Sequence, residues 1–307
     1  MSIEGLRTAL GDRALVAEPM SRHTSYGIGG PADLFVVARS LEELCQFVGL
    51  ACEHQVPHLI IGEGANLLVA DAGVRGLVIR NACQAVEIAQ KTDTVWQVVA
   101  ESGAVLRDLA RQTVSHGLAG LEWAIDVPGT VGGAVVGNAG AYGGYVSDNL
   151  RGVVVWSSDA GESWLPSTEL GLGYRTSLFK GEAKEGAATA VIQSATFDLR
   201  ASDTACLQER ASEYQARRSA SQPCGRSAGS VFKRTEQYPA GFLIENAGLK
   251  GRRIGGAVVS LKHANFILNQ GTASARDVRQ LIELIQETVQ REFGIRLELE
   301  IELVGAW

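Results

Sequence analysis

The chain has 307 residues, enough for two or three compact domains with a sizeable core. Its 46% hydrophobic and 20% charged content excludes a disordered chain, and 28 Lys and Arg against 34 Asp and Glu leave a net −6 that gives no general attraction to nucleic acid or anionic lipid. No apolar run nears the roughly 18 residues of a bilayer-spanning helix, "MSIEGLRTALGDRAL" lacks the apolar core of a signal peptide, and five cysteines without a C-x-x-C point to a reduced, cytoplasmic protein.

In chain order, "SLEELCQFVGLACEHQ" is predicted to be a helix: Ser40 and Glu43 stand in capping-box spacing, Leu41, Leu44, Val48 and Ala51 recur at helical intervals, and Pro57 ends it. "HLIIGEGANLLVAD" reads as strand, glycine loop, strand, and "RGLVIRN" as a further strand. The alternation of periods makes the first ~80 residues a small α/β unit. "TVWQVVAESG" is a strand, and "AVLRDLARQTVSHG" a helix closed by Gly117. "VPGTVGGAVVGNAGAYGG" is the longest glycine-rich stretch, read as loop. "GVVVWSSDAGESWLP" forms a hairpin with Asp159, Ala160 and Gly161 in its turn, and "AATAVIQSATFDLR" is a strand. The polar stretch "SDTACLQERASEYQARRSASQPCGRSAG" begins where the domain changes. "YPAGFLIENAG" has Pro239 where a helix starts and Gly248 where it stops. "GGAVVS" and "NFILN" are strands. "SARDVRQLIELIQETVQREFG" is a helix with an apolar stripe of Val278, Leu281, Ile282, Ile285, Val289 and Phe293, closed by Gly294. Last, "GIRLELEIELVG" alternates as a half-buried strand with Glu298, Glu300 and Glu302 on one face.

Several common chemistries are absent. There is no G-x-G-x-x-G and no Walker A lysine. His54 and His58 have metal-like spacing, but Pro57 disfavours a shared helix face, so no metal site is expected. "GRSAG" (225–229) matches the pattern of a hydrolase nucleophile elbow, yet "ARRSASQPC" before it is not the apolar strand such an elbow needs. Two glycine loops remain, "IGEGANLL" (61–68) and "PGTVGGAVVGNAGAYGG" (128–144). Each is either a tight turn between packed strands or a run of unhindered backbone N–H groups that cradles a pyrophosphate.

The segments "TSYGIGGPADLFV", "IGEGANLLV", "LEWAIDVPGTVGGAVVGNAGAYGG", "GYRTSLF", "SAGSVFK", "YPAGFLIENAGLKGRRIGGAVVSLKHANFILN" and "LELEIELVG" occur in one order. From Thr24 to Gly305 the chain so resembles the UDP-N-acetylenolpyruvoylglucosamine reductase family, in its shorter subgroup. The resemblance implies an α+β fold: a two-part FAD-binding domain of the vanillyl-alcohol-oxidase (PCMH) type at 1–80 and 81–200, then an α+β substrate-binding domain at 201–307. It implies FAD as cofactor, NADPH as hydride donor and UDP-N-acetylglucosamine enolpyruvate as substrate, with neither nucleic acid nor membrane as partner. Hydride reaches the methylene carbon of the enolpyruvyl ether, charge spreads into the carboxylate, and the neighbouring carbon takes a proton. Such chemistry needs a fixed cation at the carboxylate and an acid near the carbanion.

By the resemblance, Arg175 is that guanidinium, Ser230 the proton donor and Glu300 the third catalytic group. FAD contacts fall on Gly62, Gly64, Ala65, Asn66 and Leu67, then on Gly129, Thr130, Gly132, Gly133, Asn138 and Gly140. Tyr174, Lys233, Arg234, His263 and Asn265 are implied for the UDP-sugar, and Tyr26 to Gly30 as a buttress of the FAD domain. One departure stands out. The family commonly has Asn-Pro after "FK", and this chain has Arg234-Thr235, so Arg234 either pairs with the diphosphate or points to solvent.

Overall fold

The computed structural model describes residues 2–180 and 190–307. The chain divides into two compact units that are not contiguous in sequence. One holds Met1–Ala14, Val36–Gly62 and Leu77–Arg218; the other holds Leu15–Phe35, Glu63–Gly76 and Ser219–Trp307.

The first unit is built on an antiparallel sheet in the order Gly161–Pro166, Leu150–Ser157, Val191–Ala201, Val95–Glu101, Val86–Gln90. The short strand Leu118–Ala119 pairs with the far end of Val191–Ala201. Helices Leu106–Ser115 and Val131–Val136 bury Leu106, Leu109, Val131 and Val135 in one core with Val98, Val153 and Phe197 from the sheet. The expected hairpin turn is present, with Gly161 left-handed at φ 70°. The strand predicted from residue 187 is seen from Val191; its first residues, up to 189, lie outside the described residues. Also in this unit, His58–Ile61 runs parallel to Leu77–Arg80. The helix Leu41–Glu53 carries Leu44, Phe47, Val48 and Ala51 on its buried face. Its cap is divided: Ser40 Oγ accepts from Glu43 N, but the Glu43 carboxylate accepts from Arg39 N, one residue earlier than a reciprocal box requires.

Two helices differ from expectation. Thr204–Ser221 is an eighteen-residue helix where the sequence read only a polar stretch. It buries Leu207 and Ala211 in the core and packs the partly buried Tyr214 against it, a narrow i, i+4, i+7 stripe in a largely polar helix. Within the glycine-rich stretch, Val131–Val136 is helical because Thr130 caps it through Gly133 N.

The second unit packs Ala275–Phe293 and Ala240–Asn246 against the small sheet Arg253–Ile254, Ala257–Val259, Ile267–Asn269. The long helix has the expected Ser274/Asp277 capping box and ends at Gly294, φ 70°. Val278, Leu281, Ile282, Ile285 and Val289 are buried, each worth roughly 1.5–3 kcal/mol. Phe293, expected on that stripe, is 39% exposed, because it sits in the last turn beyond the core. The closing strand is much shorter than its alternation implied. Only Glu302–Val304 is strand, paired in parallel with Leu67–Val69. Residues 295–301 run as irregular chain with a bridge from Leu299 to Phe232.

Early and late segments interlock in this unit. Gly30 N donates to Ala70 O, Ala70 N to Val304 O, and Ala306 N to Gly73 O. Gly73 has φ 82°, and a Cβ there would collide with the Pro31 carbonyl, so only glycine fits the crossing. Asp71 reaches the start of the long helix, accepting from Ala275 N at 2.8 Å and Arg276 N at 3.0 Å. Among the described residues no helix is long and apolar enough to cross a membrane.

Two outcomes follow from these contacts. Asp71→Ala leaves two helix N–H groups to water and is expected to lower stability by about 1–2 kcal/mol in urea unfolding. Among the described residues His58 Nε2 is buried without a partner, and burial holds its imidazole below the ordinary range against a hydrogen bond with the Val56 backbone. The unfolded chain therefore takes up its proton first. The penalty is absent above the unfolded pKa near 6.5 and grows as pH falls through and below it. His58→Gln should flatten the loss of urea midpoint between neutral pH and pH about 5 by one proton's worth.

Candidate functional site

In the second unit the loop after Gly62 is shaped by backbone contacts. Gly64 is buried with φ 61°, and a Cβ would collide with the His23 carbonyl. Ser25 N donates to Gly64 O at 3.1 Å. Among the described residues, no hydrogen bond within the protein takes the N–H groups of Gly64, Ala65 or Asn66. Three successive amide donors beside a glycine are the chemistry that holds a pyrophosphate. His23, absent from the sequence reading, supports this loop: its Nε2 lies 3.0 Å from Glu18 Oε1 and its ring stacks on Phe35 at 4.2 Å. A histidine just ahead of "TSYGIGG" was the only available signal.

Asn66 faces the other way. Its Nδ2 donates to Glu300 O at 3.0 Å, and its own carbonyl accepts from Glu302 N at 2.9 Å. Glu300 N donates to Val231 O at 2.8 Å, one residue after Ser230. The second unit thus assembles Asn66, Ser230 and Glu300 by itself. Ser230 and Glu300 are half-buried, whereas Glu298 and Glu302 are exposed. Glu298 pairs with Lys233 Nζ at 3.3 Å. The alternation could not rank the three glutamates; the backbone geometry separates them.

Asn265 is buried and grips the same segment. Its Oδ1 accepts from Phe232 N at 3.0 Å and its Nδ2 donates to Phe232 O at 2.8 Å. His263 Nδ1 accepts from Asn265 N, which leaves the proton of a neutral ring on Nε2. Burial, more than the nearby Lys250 charge, holds His263 below its ordinary range. Arg234 is exposed. Beyond it Tyr238 and Phe242 stack at 5.6 Å on the surface, a feature no periodicity announced. Tyr26 is fully buried; its hydroxyl donates to Ile267 O and its carbonyl accepts from Asn269 Nδ2. Burial pushes its phenol far above the ordinary range. The expected buttress therefore serves the unit that holds the C-terminal segments.

In the first unit, Arg175 has φ 57°, unusual for a non-glycine residue and costing of order 1–3 kcal/mol. Its neighbours fix it there. Nη2 donates to Gly140 O at 3.2 Å, the guanidinium lies 5.4 Å from the Tyr174 ring centroid, and Gly173 and Thr176 exchange backbone hydrogen bonds around it. Asn138 is buried and joins these loops, donating from Nδ2 to Gly173 O and accepting at Oδ1 from Ser147 N. The donors expected of the second glycine loop are largely spent on the fold. Val131 N and Gly132 N donate to the Ala104 and Ser102 carbonyls, and Gly133 N to Thr130 Oγ1. Gly62 packs directly on the Thr130 side chain.

A mixed α+β chain in which one unit joins a glycine loop offering free amides to C-terminal segments carrying a serine and a carboxylate has the features of a protein that holds a dinucleotide cofactor. The family model described as FAD binding domain matches residues 32–163, and that of UDP-N-acetylenolpyruvoylglucosamine reductase, C-terminal domain, matches residues 220–304. The UDP-N-acetylenolpyruvoylglucosamine reductase of Alkaliphilus oremlandii is 41% identical over 96% of this chain and 94% of its own length. A second such reductase, from Symbiobacterium thermophilum, is 42% identical over 98% of this chain and 96% of its own. The crystal structure of the Thermus caldophilus reductase matches with a TM-score of 0.80 at 33% identity, covering 95% of this chain and 99% of that one. The chain belongs to the UDP-N-acetylenolpyruvoylglucosamine reductase family.

Gly64→Val forces the loop off the His23 carbonyl and turns its amides away. The purified variant is expected to hold less than about a tenth of the wild-type FAD per protein, read from the visible flavin absorption band.

Proposed function

We propose that this chain catalyses the NADPH-dependent reduction of UDP-N-acetylglucosamine enolpyruvate to UDP-N-acetylmuramate, a step of peptidoglycan precursor synthesis, with Arg175, Ser230 and Glu300 as its catalytic groups. The activity follows from family membership over nearly the whole chain. The observation that supports the residue assignment is the Glu300 N to Val231 O hydrogen bond, which sets the main chain of the half-buried Glu300 beside the residue that follows Ser230. In this reading residues 1–80 and 81–200 serve FAD and residues 201–307 serve the substrate; the matched segments 32–163 and 220–304 support it.

FAD, when bound, supplies hydride chemistry between NADPH and the enolpyruvyl methylene carbon. The free N–H groups of Gly64, Ala65 and Asn66 fit its pyrophosphate. Gly62, Leu67, Gly129, Thr130, Gly132, Gly133, Asn138 and Gly140 complete the proposed contacts, mostly by close packing, since several of their donors are already taken. Arg175 binds the substrate carboxylate, where negative charge develops. A planar guanidinium held in a strained backbone needs no reorganisation to do so. Ser230 Oγ delivers the proton to the carbon bearing the ether oxygen. A hydroxyl is a weak acid, so it serves only against a strong base such as this carbanion. Glu300 orients the carboxylate end of the substrate. Tyr174, Lys233, Arg234, His263 and Asn265 form the proposed surround of the UDP-sugar, with Asn265 acting through its grip on Phe232. A cytoplasmic location belongs to this reading and agrees with five free cysteines.

The deciding assay is NADPH oxidation that depends on UDP-N-acetylglucosamine enolpyruvate; no turnover with that compound would sink the proposal. Ser230→Ala is expected to slow flavin reoxidation by substrate by about 10²–10⁴-fold. Flavin reduction by NADPH should fall far less, because the proton is needed only in the second half-reaction. Equal losses in stopped-flow measurements would remove the role given to Ser230.

A further inference from the structure

We propose that Asn66 is a positioning residue that transmits occupancy of the FAD-binding loop to Glu300. The proposal rests on the reading of Glu300 as a catalytic group.

Residues 295–301 have no regular strand to hold them, so Glu300 is placed by individual contacts. Its N–H is fixed by Val231 O at 2.8 Å and its carbonyl by Asn66 Nδ2 at 3.0 Å. Both backbone groups of one peptide pair are thus held, one from the Ser230 side and one from the loop side. Asn66 O also accepts from Glu302 N at 2.9 Å, the first rung before Leu67 pairs with Glu302 in the parallel ladder. The same residue offers its N–H, with those of Gly64 and Ala65, to a ligand. One short loop therefore has donors facing the cofactor and an amide facing the carboxylate segment. When its N–H groups take up a pyrophosphate, the loop is fixed, and with it the Asn66 side chain and the peptide of Glu300. An aspartate of equal size has no donor for the Glu300 carbonyl, and a glutamine adds a methylene that displaces it.

The test is amide hydrogen exchange, followed by mass spectrometry, on peptides covering residues 297–304 of the full-length protein with and without saturating FAD. In the wild type, FAD is expected to slow exchange there by about tenfold. In Asn66→Asp and Asn66→Ala that FAD-dependent protection should be lost at saturating FAD. In stopped flow, the rate of flavin reoxidation by substrate should fall by about tenfold relative to the rate of reduction by NADPH. Wild-type exchange that ignores FAD overturns the proposal, as does an equal fall in both half-reactions. Where a substitution fails to fold, the wild-type exchange result and the milder Asn66→Gln decide. Glu300→Gln separates the two readings. Wild-type turnover in that variant removes the catalytic role of Glu300, while FAD-dependent protection of 297–304 would still stand or fall on its own.

Discussion

The parallel pairing of Leu67–Val69 with Glu302–Val304 is the constraint on which the proposed chemistry depends. Strands far apart in sequence meet only through long-range closure, and a short parallel pair contributes little by itself. Here it is reinforced on both sides. Gly73 lets the early backbone cross Pro31, Asp71 caps the long helix, and Ala306 returns to Gly73. The result is a C-terminal module whose framework includes residues from the first quarter of the chain. Ser230 and Glu300 inherit their places from that framework rather than from a local motif.

The first unit solves a different problem. Its large antiparallel sheet is an ordinary core, and its unusual features gather around Arg175. A left-handed arginine persists only where neighbours over-determine it. Asn138, Gly140 and Gly173 do so through hydrogen bonds to backbone and guanidinium. Several donors of the glycine-rich stretch are used within the same unit. They close on Ser102, Ala104 and Thr130, and the small residues of the stretch allow tight approach.

Much of this was legible in the sequence. The helix Ala275–Phe293 could be read with its cap and stop, because an apolar stripe, a capping serine and a closing glycine agree. The strands around "IGEGANLL" and the hairpin at Gly161 were equally clear. Thr204–Ser221 was not, since its stripe of Leu207, Ala211 and Tyr214 is short and set among polar residues. The terminal alternation over-predicted a strand. Alternating burial requires only that side chains face opposite ways, and Leu297 and Ile301 reach the core without a ladder partner along the whole run.

The sequence by itself determined most of the elements, the family and which residue types could carry the chemistry, because these depend on local periodicity and on ordered motifs. Only the tertiary structure decided that Gly64, Ala65 and Asn66 keep their amides free and that the main chain of Glu300 is tied between Val231 and Asn66. Both depend on contacts between segments that are not neighbours in the chain, over two hundred positions apart in the case of Asn66 and Glu300. Such contacts satisfy or release a backbone group without leaving a mark in either segment. The same holds for His23, whose carbonyl shapes the turn at Gly64 although nothing in the composition of either stretch foretells their meeting.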